Sequence, residues 1–367
     1  KQWNEAIESE YDSLIKNKTW SVVNRPHGQH VLTNRWIFKR KLGPDGQVQR
    51  HKARLVVRGF EQVHGIDFDE TFAGVIKQPS YKLLFALQAY FGWECHQMDV
   101  KTAFLHGEIE EDIYIEPPDG YPQKEGQVLK LNRALYGLKQ APRQWYRKLR
   151  KTLERQGWCA SMFDNSLFIH PTGLYMTIYV DDINIFGSDQ RQIKKVKTQL
   201  MEEFEMTDLG QCAYYLGMHV QIRPEGTYLH QASYAQQIVN KFGLADEQPL
   251  SIPVDVTTRL TANKDQTPTR EFLQLYQAMT GSVNYLATIS RPDISFATGL
   301  LARYMAKPDE THMKAMKRVF SYVNGTKHLG LFFSSRTHDD STLELRGWCD
   351  SDWGNCTDTT RSTGGWM

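Results

Sequence analysis

Apolar positions along the chain switch between helical and alternating periods, and the switches predict the elements. Trp3, Ile7, Tyr11, Leu14 and Ile15 fall at near-helical spacing, which makes a short amphipathic helix ahead of an extended stretch at 20–23. From Asn34, Trp36, Phe38 and Leu42 alternate with basic residues up to the turn signal Pro44-Asp45-Gly46, and 48–57 runs back as a second strand of a basic hairpin. Pro79 and Ser80 open a helix with Leu83, Leu84, Leu87 and Phe91 on its apolar side; Gly92 caps it and a strand follows at 93–100. Pro142 starts a helix running to Gly157, with Trp145, Leu149 and Leu153 at four-residue intervals. Apolar runs at 174–179 and 183–186 flank a tight bend, and Asp189 with Gln192 then opens a helix carrying Ile193, Val196, Leu200 and Phe204. Strand, helix and strand around that bend suggest a sheet layered with helices, of the split βαβ kind.

After Tyr228 the character changes. Ser233 with Gln236 caps a helix ending at Gly243, and the Pro- and Thr-containing stretch 249–268 reads as a linker. Three helices follow: a stripe of Phe272, Tyr276, Met279, Val283 and Leu286; a segment at 294–304 behind Pro292-Asp293; and a stripe of Met313, Met316, Phe320 and Val323 ended by Gly325. The pattern returns to strand at 329–333 and 342–348, and no internal repeat or low-complexity tract appears.

The 367 residues exceed what one hydrophobic core serves, so two or more subdomains are expected. A net charge of only +2 means that any contact with nucleic acid must come from local Lys and Arg clusters. Cys95, Cys159, Cys212, Cys349 and Cys356 are scattered without a CxxC pair, which argues against a zinc site or a disulfide framework and for a reducing compartment. No stretch approaches a membrane span, and the start at Lys1 reads as a cut from something longer.

The chemistry concentrates in acidic residues. Asp181 and Asp182 are adjacent carboxylates at the bend between two apolar runs, a placement tolerable only if cations or hydrogen-bond donors meet them. Asp99 ends the strand at 93–100, a position from which a side chain reaches out of a sheet toward a site. Three aspartates could converge to hold the two divalent cations that phosphoryl transfer needs. For an isolated Asp-Asp pair, a polar turn and an exposed strand end would be the commoner explanation. Strand alternation puts Lys52, Arg54 and Arg58 on one face, as a shared anionic target or an ordinary solvated face would both require.

The flanking sequence decides between these. Gln97-Met98-Asp99-Val100-Lys101-Thr102-Ala103-Phe104-Leu105, Leu135-Tyr136-Gly137-Leu138-Lys139-Gln140-Ala141-Pro142-Arg143 and Tyr179-Val180-Asp181-Asp182 resemble, in order and spacing, the reverse transcriptase motifs of copia-type LTR retrotransposons. The resemblance extends through Lys52-Ala53-Arg54-Leu55-Val56 and Gly65-Ile66-Asp67 upstream, and through Tyr214-Tyr215-Leu216-Gly217, Arg291-Pro292-Asp293-Ile294 and Asp350-Ser351-Asp352-Trp353 downstream.

It implies an α+β right-hand polymerase: N-terminal segment and fingers over 1–92, palm over 93–230, thumb and linker over 231–268, helical connection over 269–340, and the truncated start of a ribonuclease H-like domain over 341–367. It further implies an RNA-directed DNA polymerase in which Asp99, Asp181 and Asp182 hold two Mg²⁺ ions, with Mn²⁺ able to substitute. Lys52, Arg54, Arg58, Gly137 and Lys139 would serve the incoming deoxynucleotide, and Phe104 falls where related enzymes place a steric gate or, alternatively, in the core. Tyr136 departs from the Gln that many retroviral-type enzymes carry before that glycine. Arg143 and Arg147, with Arg150 and Lys151, form a stripe that could track template phosphates or simply face solvent. Tyr179, Leu216 and Gly217 would touch template or primer. Asp350 resembles the first carboxylate of a ribonuclease H site whose further acids are missing, so no ribonuclease H activity is expected. The implied partners are an RNA template, a DNA primer, deoxynucleoside triphosphates and the protease and integrase parts of a Gag-Pol polyprotein, within cytoplasmic particles. The competing expectations are an inactive retroelement remnant that at most binds nucleic acid, and a binding module; against the latter, no DxDxDG calcium loop occurs.

Overall fold

The computed structural model describes residues 1–42, 48–122, 124–255, 259–263, 267–336 and 343–366. The Pro44-Asp45-Gly46 turn lies outside the described residues, as does part of the 249–268 linker. The fold is α+β and divides into two compact units, one of Lys1–Leu84 with Trp93–Gln211, the other of Phe85–Gly92 with Cys212–Met367.

In chain order the elements of the first unit begin with α1 (Gln2–Lys16), β1 (Trp20–Asn24), β2 (Val31–Leu32) and the hairpin of β3 (Asn34–Leu42) and β4 (Val48–Val57). Helix α2 (Gln78–Phe91), whose second half from Phe85 is counted with the second unit, leads into β5 (Glu94–Val100), then β6 (Tyr114–Ile115), β7 (Gln127–Leu131) and α3 (Ala141–Arg155). Next come β8 (Cys159–Ala160), β9 (Leu167–His170), β10 (Leu174–Tyr179), β11 (Asp182–Gly187), α4 (Gln190–Glu203) and β12 (Met206–Gln211).

The main sheet runs β12-β5-β11-β10-β9-β8, every neighbouring pair antiparallel. With α3 between β5 and β10 in sequence and α4 between β11 and β12, its first four strands have the split βαβ order that the pattern suggests. Side chains alternate across a strand, and the apolar set goes one way. Met98, Val100, Met176, Ile178, Ile183 and Ile185 share one core with Trp145, Leu149 and Leu153 of α3 and Ile193, Val196 and Leu200 of α4. The same alternation turns Gln97 and Asp99, Asp182 and Asn184, and Thr177 and Tyr179 to the opposite face. A second core joins Leu14 of α1 to Leu55 and Val57 of β4 and to Leu129, Leu135 and Leu138.

The second unit continues with β13 (Tyr214–Tyr215), β14 (Met218–Arg223), β15 (Gly226–His230), α5 (Ala232–Lys241), α6 (Arg270–Ile289), α7 (Ser295–Ala302), α8 (Glu310–Gly325), β16 (Gly330–Ser334), β17 (Cys349–Ser351) and β18 (Gly364–Trp366). Strands β13-β14-β15-β16 form one antiparallel sheet, and α5 to α8 close around Tyr276, Val283, Leu286, Met316 and Phe320. Arg291 is only 1% exposed, yet its guanidinium is satisfied by Asp293 at 2.7 Å and the Thr326 carbonyl at 2.8 Å, while Tyr322 donates to Asp293. Arg291 is therefore a buried cation that reaches the exposed Asp293 on the turn before α7, and its pairing there is the form in which a buried charge is tolerable.

Three expectations are corrected. Helix α2 buries Tyr81, Leu84, Phe85, Gln88 and Ala89 and leaves Leu83 and Phe91 exposed, so its inward face is rotated from the stripe read in sequence. Helix α5 starts at Ala232 with Gln231 at the cap position, and Ser233, inside the helix, bonds His219 instead. Residues 343–348 form no strand; the strand there is β17, which pairs with β18.

Candidate functional site

Strand pairing brings the acidic residues together in the backbone. Asp182 lies directly opposite Asp99 across β11 and β5, Tyr179 lies opposite Asp182 across the β10–β11 hairpin, and Val180-Asp181 is the two-residue loop. All three aspartates are half-buried. Like charges directly opposite each other repel, and the Gln97 amide offsets part of this by donating to Asp182 Oδ1 at 3.3 Å. Among the described residues no three His, Cys, Asp or Glu side chains are gathered into a metal-holding group, so the three carboxylates do not enclose a ready-made cage.

The loop itself is held from two sides. Val180 has a φ of +57°, a region that a β-branched residue rarely enters, and Asp181 does not share the positive φ. Trp145 Nε1 donates to the Val180 carbonyl at 2.7 Å, and the Val100 N–H donates to the Asp181 carbonyl at 3.0 Å.

Beside the aspartates stands Tyr136. Burial pushes its hydroxyl up to about 12, with Arg54 pulling down and Asp181 and Asp99 adding upward pressure, so the phenol stays neutral across the working pH range. The Arg54 guanidinium lies 4.7 Å from the Tyr136 ring centroid, and Phe104 meets the same ring edge-on at 4.9 Å. Phe104 is thus neither fully buried nor free; it packs partly against both cores of the unit. Gly137, at φ +96°, lies against the end of β4, where the Val57 N–H donates to the Tyr136 carbonyl at 2.8 Å. A Cβ at Gly137 would overlap the Val57 carbonyl, so close backbone approach, as well as the positive φ, demands glycine here.

The other expected residues divide. On β4, Ala53, Leu55 and Val57 are buried, while Lys52 and Arg54 share the other face; Arg58 lies just past the strand end, at the N-cap position of a 3-10 turn at Gly59–Glu61, so the expected common face covers two of the three cations. Arg58 has Glu61 at 3.9 Å, and burial leaves Glu10 with a raised pKa despite the neighbouring Lys52 and Arg54. Lys139 is committed locally: its N–H donates to Gln62 Oε1 at 2.7 Å and its ammonium sits 4.5 Å from the Phe68 ring centroid. On α3, Arg143 pairs with Glu70, Arg147 with Glu110 at 3.3 Å, and Arg150 with Glu154 at 2.7 Å, so these arginines of the stripe already meet carboxylates. Tyr179, 38% exposed, flanks the loop. Leu216 and Gly217, in the second unit, form the two-residue turn of the β13–β14 hairpin with φ of +47° and +86°. Asp350 is exposed on β17.

Sequence reasoning missed the roles of Gln97 and Trp145. Gln97 was detectable, because it stands two residues before Asp99 and so on the same face of the strand. Trp145 carried only the signal of a core residue.

A strand-end aspartate is thus paired against a two-carboxylate hairpin, in a unit that also carries a basic hairpin and a glycine loop. The family model for reverse transcriptase (RNA-dependent DNA polymerase) matches residues 17–256, and the chain belongs to that family. Across its whole length it is 36% identical to the retrovirus-related Pol polyprotein from transposon RE1 of Arabidopsis thaliana and to that from transposon TNT 1-94 of Nicotiana tabacum. It covers 25% and 28% of them, so the chain spans about a quarter of the length of these relatives. Among solved structures, the foamy viral protease-reverse transcriptase in complex with dsDNA matches 95% of this chain and 61% of that one, at 15% identity and a TM-score of 0.48.

Proposed function

We propose that this chain is an RNA-directed DNA polymerase module that extends a primer 3′ end with deoxynucleotides by two-metal-ion phosphoryl transfer, for retrotransposon replication. The observation that carries the proposal is the strand register that sets Asp99 against Asp182 with Asp181 on the adjoining loop. The donors fit Mg²⁺, which prefers carboxylate oxygens, takes few from the protein and completes its shell with water and substrate phosphates. An open, half-buried trio suits that ion better than a closed protein cage would. When bound, the metal pair supplies activation of the primer hydroxyl and neutralisation of the departing pyrophosphate, and Mn²⁺ can substitute.

Asp99 and Asp181 hold the ions most directly, with Asp182 oriented by Gln97. Lys52 and Arg54, from one face of the hairpin, and Arg58, from just past its end, offer cations to the triphosphate. Tyr136, its hydroxyl pKa raised by burial, keeps a hydroxyl donor near the reacting phosphates, and Phe104 beside it supplies bulk against a ribose 2′-hydroxyl. Gly137 and Lys139 support the nucleotide through the loop before α3. Arg143 and Arg147 reach template phosphates by exchanging their present carboxylate partners, and Tyr179, Leu216 and Gly217 touch template or primer. On this assignment fingers, palm, thumb, connection and ribonuclease H-like start follow the boundaries 1–92, 93–230, 231–268, 269–340 and 341–367. The module works within a Gag-Pol polyprotein, beside protease and integrase parts, in cytoplasmic particles.

The test is oligo-dT extension on poly-rA with Mg²⁺ or Mn²⁺, comparing the unaltered chain with Asp181→Asn. Extension by the first and a loss of at least about a hundredfold in the second is the expected outcome. Equal rates would refute the assignment of Asp181, and template binding without extension would favour an inactive remnant.

A further inference from the structure

Resting on that assignment of Asp181, we propose that Trp145 is a positioning residue whose indole N–H latches the Val180–Asp181 peptide and so sets where the Asp181 carboxylate stands. In a two-residue hairpin loop, a positive φ at the first residue only excludes the type I′ turn, which needs both, and leaves the turn in which glycine is the usual first residue. Valine occupies that place, and its side chain packs partly against the α3–α4 core. A β-branched residue in the left-handed region is strained and persists there only where its surroundings over-determine it.

The surroundings here are two hydrogen bonds. One holds the carbonyl of Asp181 from Val100. The other, from Trp145 at 2.7 Å, holds the carbonyl of Val180, which belongs to the peptide plane joining Val180 to Asp181. Rotation of that plane is the motion that would swing Asp181 away from Asp99. Trp145 is itself closely packed: 1% exposed, its ring meets Phe204 edge-on at 5.2 Å and lies tilted against His106 at 5.7 Å. Phenylalanine would fill most of the same space and offer no donor, so the ring packs the core while the N–H serves the loop.

The experiment is a double-mutant cycle of Trp145→Phe and Val180→Gly, read by hydrogen exchange of the 174–187 segment, by Mn²⁺ binding followed by electron paramagnetic resonance, and by primer extension. Trp145→Phe should keep the far-UV circular dichroism and cooperative unfolding of the parent. Exchange at the loop should rise, and Mn²⁺ affinity and kcat should fall roughly tenfold, with KM for the deoxynucleotide unchanged. Glycine at 180 adopts the positive φ without restraint, so the double variant should lose less than the two single losses combined. Unchanged exchange at the loop in Trp145→Phe, or strictly additive losses, would overturn the latch. Exchange rising throughout the first unit would reduce Trp145 to core filling and overturn it equally. Should the parent extend no primer while exchange at the loop behaves as expected, the polymerase proposal fails and the latch stands.

Discussion

Gly137, Tyr136 and Phe104 illustrate how a single position acquires its role from what approaches it. Glycine at 137 lets the loop before α3 run against the end of β4, which carries the Tyr136 ring up to Arg54 on one side and Phe104 on the other. Phe104 is held there by an aromatic edge contact rather than by full burial, and a side chain so placed can both pack and exclude. If exclusion is its function, Phe104→Ala should raise incorporation of ribonucleotides in primer extension while leaving deoxynucleotide incorporation within a few-fold of the parent. Identical sugar selectivity in the two proteins would return Phe104 to a packing role.

At the scale of elements, local chemistry carries much of the fold. Asp189 caps α4 by accepting from the Arg191 and Gln192 N–H groups, which places the helix start where the sequence pattern put it. Asp189→Ala should cost about 1 kcal/mol in denaturant unfolding, with no change in the site, because the cap lies on an exposed helix end; a cost indistinguishable from zero would mean solvent satisfies those donors equally well. The basic hairpin shows the same local logic, with Ala53, Leu55 and Val57 buried on one face and the half-buried Lys52 and Arg54 on the other. Local logic failed where an element has apolar residues on more than one side. Helix α2 contains Tyr81, Leu83, Leu84, Phe85, Leu87 and Phe91, and periodicity could not tell which stripe would find a partner.

For the whole molecule, pH is the coordinate that reads the buried charges. Burial, chiefly, depresses the pKa of His96, His106 and His230; Lys197 adds to it at His96 and His219 at His230. The folded state therefore binds fewer protons than the unfolded one, whose histidines titrate near 6.5, so stability is present above that pH and is lost as pH falls through it. Asp208 and Asp293 respond lower down. Burial pushes them up, but Lys197 and Arg291 more than offset it, and their contribution is lost as pH falls below about 4. Glu10, raised by burial, acts with the opposite sign and at higher pH, its burial penalty being relieved as pH falls toward 4.5. The melting temperature should hence fall between about pH 7 and 5 and again below about 4. His106→Gln should flatten the first of these declines, and an unchanged slope would show that His106 does not report the folded state.

What the sequence determined alone is the inventory: the ordered motifs, the strand–helix–strand pattern, the face of β4 that carries cations, and the three aspartates at a strand end and a hairpin bend. These were legible because alternation, capping and turn preferences act within a few residues. Tertiary structure decided what lies across from what. The register that sets Asp99 against Asp182, the reach of Trp145 from α3 to the Val180 carbonyl, the inward face of α2 and the pairing of β17 with β18 all join positions far apart in the chain. Such pairings depend on packing against partners that no local window contains, since the same side chain can satisfy its local preferences on either side of an element until a neighbour is chosen.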